Sequence, residues 1–234
     1  MDKKKVNFGK KIILGLGGSI VCPDKINTAY LKSFYSFLKK KIKQGYKFII
    51  VVGGGDIARK YQKAALETTH VSNTDKDWIG IHATRINAHL LRVLFKKEAN
   101  PIIFDKRFKL KEFGKYSVII GSGWKPGWST DYVATQIAAD LKINKIIILT
   151  KPDYIYTVDP QKNKNAKPIK KITWQEYLKK IPSKWKPGLH LPIDPIASRL
   201  AQKEKMEIVL VNGRKIVNLE KIFSGEKFKG TIIS

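Results

Sequence analysis

Residues 117–141 read SVIIGSGWKPGWSTDYVATQIAADL. The apolar, β-branched run 117–120 has the composition of a buried strand. It breaks into eight residues, 121–128, that hold three glycines, a proline and two tryptophans. Ser129, Thr130 and Asp131 then open a helical pattern in which Val133, Ile137 and Leu141 recur every four residues. Strand, glycine loop and helix in immediate succession form half of a βαβ unit, with a flexible loop at the carboxyl end of the strand.

The same alternation extends in both directions. Apolar runs occur at 11–16, 47–52, 101–104, 145–149 and 207–211, and each reads as a buried parallel strand. Between the first two, Leu31, Phe34, Tyr35, Leu38 and Ile42 share one helical face, and Gly45 supplies a stop. A longer helix is expected over about 75–97, with Ile79, Ile86, Leu90, Leu91, Leu94 and Phe95 as its apolar stripe. Strands and helices taking turns predict an α/β fold, a three-layer αβα sandwich around a largely parallel sheet. The polar, proline-bearing stretch 157–172 is expected to be a surface excursion.

Composition narrows the function classes. With 234 residues and 43% hydrophobic content the chain can bury a full core. No segment is apolar for long enough to span a bilayer, and the first residues lack the pattern of a cleaved leader, so a cytoplasmic location and no membrane partner are expected. One cysteine, Cys22, allows neither an internal disulfide nor a cysteine metal cluster and is expected to be buried. The four histidines, 70, 82, 89 and 190, form no ligand spacing. The net charge of +27 attracts anions, but only six of the 46 basic residues are arginine. The lysines are spread along the chain, in runs such as 3–5 and 39–41, like solvated faces. Nucleic acid is therefore not the expected partner, whereas nucleotide substrates would be favoured by the field.

Ligands of parallel α/β sheets sit at the carboxyl ends of the strands. Three glycine clusters fall at such ends: LGLGGS at 14–19, VVGGGDIARKY at 51–61 and the loop at 121–128. Glycine leaves main-chain N–H groups accessible to phosphate. The P-loop pattern, the dinucleotide fingerprint, the protein-kinase signatures and the GxSxG elbow are all missing.

Taken in order, GGS, VVGGGDIARKY, DWIGIHATRINAHLL, GWKPGWSTDYVATQIA, TKPDYIYTVDP and IDPIASRLA resemble the amino acid kinase superfamily, and more narrowly its archaeal-type UMP kinases. The resemblance covers about residues 11–233 and implies one domain over 1–234. An N-terminal lobe to about 142 would hold the acceptor site, and a C-terminal lobe from about 143 the ATP site. It implies transfer of the ATP γ-phosphoryl to UMP with Mg²⁺, in a hexamer built as a trimer of dimers. By the same resemblance, Gly17, Gly18 and Ser19 would hold the transferring phosphates. Gly54, Gly55 and Arg59 would take the UMP phosphate, Asp77 the ribose hydroxyls, and Gly123, Trp124, Trp128 and Thr130 would close over the acceptor. Asp131 would orient cations near the reaction centre, while Thr150, Lys151, Asp153, Tyr156 and Asp159 would line the ATP side. Gly17, Gly18, Asp131 and Lys151 are the implied catalytic set.

The chain departs from the family where many members carry a lysine and this one has Gly15. Lys151 is the expected substitute cation, with Lys10 or Lys11 behind it. The two tryptophans either stack on the uracil or pack against a neighbouring lobe or subunit, and CMP or a non-nucleotide phosphate remains an alternative acceptor. Other small-molecule kinases of the superfamily, or an inactive nucleotide- or nucleic-acid-binding descendant, are the alternative functions.

Overall fold

The computed structural model describes residues 9–109, 112–183 and 191–234; the lysines at 3–5 and residues 184–190, His190 among them, lie outside them. In chain order the elements are β1 (Lys11–Leu16), α1 (Gly18–Val21), α2 (Thr28–Lys43), β2 (Lys47–Val52), α3 (Gly55–Thr68), α4 (Asn73–Leu94), β3 (Val118–Gly121), α5 (Thr130–Asp140) and β4 (Lys145–Thr150). There follow β5 (Ile155–Tyr156), β6 (Pro168–Ile169), β7 (Lys171–Ile172), α6 (Trp174–Lys180), α7 (Pro195–Lys203), β8 (Glu207–Asn212), α8 (Ile216–Ser224) and β9 (Thr231–Ile233).

Seven strands form one sheet in the order β3-β2-β1-β4-β8-β9-β7, and β5 and β6 make a small hairpin apart from it. The five strands from β3 to β8 run parallel; β9 joins β8 antiparallel. Successive residues of each strand enter opposite cores. Ile12, Leu14 and Leu16 pack with Phe34, Leu38, Leu91 and Leu219 beneath α2, α4 and α8. Ile13, Ile146 and Ile148 pack with Val133, Ile137, Trp174 and Ala197 beneath α5, α6 and α7. Both faces being covered explains why the strands read as unbroken apolar runs, and the expected three-layer αβα sandwich is what forms. Cys22 is buried, as expected.

Helix starts follow local chemistry. Asn27, Ser72, Ser129, Thr173 and Asp194 each accept a hydrogen bond from a first-turn amide of the helix they precede. Gly45 takes φ of 83° just past α2, a conformation that a side chain disfavours.

Three expectations need correction. Residues 101–104 are not a strand: Pro101 has no N–H to donate, and Asn100 Oδ1 accepts from the Ile102 amide at 2.9 Å, turning the chain. The segment touches β3 only at the isolated bridges Ala99–Val118 and Phe104–Gly121. The long helix starts at Asn73 and ends at Leu94, and Ile86 lies on its outer face, 60% exposed. The buried face is set by Ile81, Thr84, Ala88 and Leu91, a phase that small residues concealed. Helix α3 buries only Ala58, so it carries no apolar stripe from which it could have been read.

Candidate active site

The first two glycine turns touch backbone to backbone. A Cβ on Gly18 would sit 2.2 Å from Gly55 N and 2.5 Å from Gly53 C. Gly55, with φ of 68°, would meet Gly18 O at 2.5 Å in the same way. Main-chain bonds lock this approach: the Gly53 amide donates to Leu16 O and the Asp56 amide to Cys22 O, each at 2.9 Å. The Gly17 amide donates to Leu149 O at 2.9 Å. Gly17 therefore ties β1 to β4 with the group that was expected to hold phosphate. The amides of Gly18 and Ser19 begin α1, where no upstream carbonyl of the helix can receive them.

Helix α4 joins the second turn to the third. Asn87, fully buried, donates from Nδ2 to Gly53 O at 2.8 Å and to Gly54 O at 3.0 Å. A Cβ on Gly54 would lie 3.3 Å from Gly80 O, and one on Gly123 3.2 Å from Ile81 Cγ1. Thr84 Oγ1 accepts from the Gly123 amide at 2.8 Å, and Asp77 Oδ2 accepts from the Gly127 amide at 2.8 Å. Burial raises the pKa of Asp77, and the Gly127 N–H works against that rise. The stretch of α4 from Asp77 to Asn87 thus holds both loops at the carboxyl ends of β2 and β3. Asn87 and Thr84 escaped the sequence reading; the available signal was two polar residues in phase with Ala88 and Leu91.

On the side expected to take the acceptor, Arg59 stands one turn into α3, bonded to Asp56 at 3.2 Å and to Pro23 O at 3.4 Å, with its guanidinium still open to solvent. Asp56 also bonds Lys60 at 2.9 Å, and these cations, Lys60 first, hold its carboxyl below the usual range. Trp124 packs into the core: it is 7% exposed and its indole N–H donates to Phe104 O at 3.2 Å. Trp128 is half-buried, edge-on to Tyr132 at 4.6 Å, with Lys125 Nζ 4.4 Å from its ring centroid. Thr130 is the first residue of α5.

Asp131 follows in the first turn of α5, its Oδ1 3.8 Å from where a Gly15 Cβ would be. That Cβ would also strike Ile148 Cδ1 at 2.5 Å, so β4 fills the space a side chain at position 15 would need. Asp131 keeps a little surface but is enclosed on most sides. Desolvation, reinforced by Asp194, pushes its pKa up to about 7. Asp194 caps α7 through the amides of Ile196 and Ala197 and accepts from the Ser129 hydroxyl. No cation pairs with Asp131 or Asp194 among the described residues, nor does any group of three or more potential metal-ligating His, Cys, Asp or Glu occur among them. Two neighbouring carboxylates without a counter-ion suit a divalent cation whose remaining ligands are phosphate oxygens.

On the remaining side, Thr150 ends β4, where its carbonyl accepts from the Gly213 amide at 3.0 Å, and Lys151 is exposed directly after it. Asp153 is paired with Lys215 at 2.7 Å, chiefly by which its pKa is lowered. Tyr156 lies in β5 across from Pro168, and Asp159 is exposed, capping a turn through the Gln161 amide. Arg214 reaches the first glycine turn, 3.4 Å from Ser19 O. Arg214 and Lys215 were not anticipated. Lys10 and Lys11 drop out as substitute cations: Lys10 bonds Gln44 O and lies over Tyr46, Lys11 faces Phe113, and both stand at the amino end of β1.

Residues 10–212 match the amino acid kinase family, and the chain belongs to that family. It is 33% identical over 227 residues to the uridylate kinase of Thermococcus onnurineus, covering 95% of this chain and 99% of that protein. The uridylate kinase of Methanococcus vannielii is 34% identical, with 95% and 98% covered. Among solved structures, the uridylate kinase of Archaeoglobus fulgidus superposes with a TM-score of 0.81 at 30% identity, covering 96% of this chain and all of that one. The UMP kinase of Bacillus anthracis has a TM-score of 0.79 at 21% identity, a likeness of fold.

Proposed function

We propose that this member of the amino acid kinase family is a UMP kinase, transferring the γ-phosphoryl of ATP to the 5′-phosphate of UMP to give UDP and ADP. The observation that carries the reading is the backbone contact of Gly18 with Gly53 and Gly55, which sets two glycine turns side by side where two polyanions must meet. A phosphate acceptor is already ionised at neutral pH and needs no strong base. The protein's work is then charge neutralisation and in-line placement.

The chain's residues divide that work. The amides of Gly18 and Ser19 face the transferring phosphates, with Gly17 holding their turn to β4. Gly54, Gly55 and Arg59 take the UMP phosphate, Arg59 with its fork of donors. Asp77 keeps one oxygen for the ribose while the other secures Gly127. Gly123, Trp128 and Thr130 enclose the base and phosphate, and Trp124 supports them from the core. Lys151 neutralises the transferring group in place of the cation missing at position 15, and Asp131 holds the cations around it. Thr150, Asp153, Tyr156 and Asp159 line the ATP side. Mg²⁺ bound to the nucleotide would supply charge neutralisation at the phosphates, facing Asp131 and Asp194. The N-terminal lobe to about residue 142 carries the acceptor site, and the C-terminal lobe from about 143 carries the ATP site.

Self-association fits the same reading, as a hexamer of three dimers. Leu31, Phe34 and Leu38 of α2 are buried in the core and offer no surface for it. Exposed apolar residues lie instead on α3 and α4: Tyr61, Leu66, Trp78, Ile86 and Val93. Sedimentation of the parent and an Ile86→Lys variant tests this, the variant shifting to smaller species. No helix among the described residues is long and apolar enough to cross a membrane, in keeping with a cytoplasmic enzyme.

A coupled ADP-release assay with UMP, CMP and no acceptor decides the function. Turnover dependent on UMP is expected; turnover with CMP alone, or only without an acceptor, would reject the reading.

A further inference from the structure

A groove of about 910 Å³ opens between the start of α2, α8 and the loop 227–229. Tyr30, Ile216, Val217 and Phe228 give it apolar lining. Five cations, Arg214, Lys215, Lys221, Lys227 and Lys229, line it as well, and no acidic residue does. All five are exposed. Among the described residues only Lys215 of the five makes an ion pair, with Asp153. The loop that carries Lys229 is fastened to α8, since Asn218 donates to Lys229 O at 2.7 Å and accepts from the Lys229 amide at 2.8 Å. The amino end of the sixteen-residue helix α2 adds its positive pole.

Tyr30 gives a second, independent observation. It is 7% exposed, and its hydroxyl is closed to solvent with no hydrogen-bond partner among the described residues. Buried hydroxyls are nearly always bonded, and this one, on a residue that lines the groove, has no partner among the described residues. Like charges gathered at one concave place repel each other, and an anion relieves the repulsion. The apolar lining adds a preference that bare charge lacks, and a cavity of this size suits a small molecule.

We infer that this groove is a second ligand site, separate from the place of phosphoryl transfer, for a phosphorylated small molecule carrying an aromatic or apolar group. The occupant's phosphate meets the lysines of α8 and the 227–229 loop, and its apolar part lies against Tyr30 and Phe228. The groove borders the proposed active site through two contacts, Arg214 with Ser19 O and Lys215 with Asp153, so filling it would alter the phosphate turn. The inference does not depend on UMP being the acceptor.

Calorimetric titration of the full chain with phenyl phosphate, with and without UMP and an unreactive ATP analogue, tests it. One equivalent is expected to bind in both conditions, and inorganic phosphate more weakly. The double variant Lys221→Glu/Lys227→Glu should lose at least about tenfold in affinity, and Tyr30→Phe about threefold, while UMP turnover without phenyl phosphate stays near that of the parent. Absent binding, binding equal to that of inorganic phosphate, unchanged affinity in the double variant, or an oligonucleotide displacing phenyl phosphate from the groove, would overturn it. Tyr30→Phe that folds more stably yet binds equally would remove the hydroxyl from the site and overturn that assignment. Failure of UMP or the ATP analogue to bind would count against the proposed function and leave the groove standing.

Discussion

The sides of the cleft proposed for the acceptor and for ATP are built differently. On the proposed acceptor side Asp77, Thr84 and Asn87 reach from one helix to two loops, and every one of those bonds joins a side chain to main chain. On the proposed ATP side Lys151 and Asp159 are exposed, and β5 and β6 form a two-residue ladder outside the main sheet. The first side is shaped before a ligand arrives. The second presents surface charges, which salt screens easily. Selectivity should therefore reside with the acceptor, and electrostatic sensitivity with ATP.

The strongest way to break the comparison is to separate the two sides. Gly18→Ala places a methyl group 2.2 Å from Gly55 N, where only backbone can yield. A loss of about 3 kcal/mol or more in denaturant unfolding is expected, with both nucleotides losing affinity. Equal stability would mean that the turns can part freely.

Lys151→Ala and Asp131→Asn probe the junction. Each should lower kcat about a hundredfold or more, and KM for UMP less than about threefold. Unchanged turnover in Lys151→Ala would reject the lysine as the substitute cation. Asp131 also has a stability signature. Its folded carboxyl keeps its proton until about pH 7, whereas the unfolded chain releases it near the ordinary aspartate value. Between those limits the folded state binds more protons, so stability falls as pH rises toward 7 and is level beyond. Asp131→Asn removes that slope. It should be more stable than the parent at pH 8 by about 2 kcal/mol, half of what the full shift would give because some solvent reaches the group, and no more stable at pH 3.5. Parallel stability curves for the two proteins would contradict the buried, uncompensated carboxyl.

Asn87→Ala sharpens the acceptor half. Removing one buried amide strands two carbonyls, so about 2 kcal/mol of stability should be lost and KM for UMP should rise, with KM for ATP steady. A smaller effect is expected of Asp77→Asn: about tenfold in KM for UMP, measured beside an unchanged KM for ATP. Smallest of all, raising the salt should weaken ATP more than UMP. The reverse order would turn the comparison around.

The alternation of strand and helix was legible because residues of β1, β2, β4 and β8 bury both faces, leaving apolar runs that no surface strand would carry. Glycine at 17–18, 53–55 and 121–127 was legible as a set because each cluster directly follows such a run. Position 101–104 misled because composition registers the apolar residues while the ladder depends on the N–H that proline lacks. Asn87 and Thr84 were hidden because a polar residue on a buried helical face looks like an error of phase until its partner is known. Of Trp124 and Trp128, chemistry alone offered the same two roles to both.

Local order is written along the chain: periodicity, caps and turns involve residues a few positions apart, and these settled an αβα sandwich with loops at the strand ends. Which loops touch is decided by sheet order, because Gly18 and Gly55 are neighbours only once β1 lies beside β2. The enclosure that raises the Asp131 pKa likewise arises only when α5 packs between β1 and the α7 cap, since desolvation is a property of everything around a group and of no residue by itself.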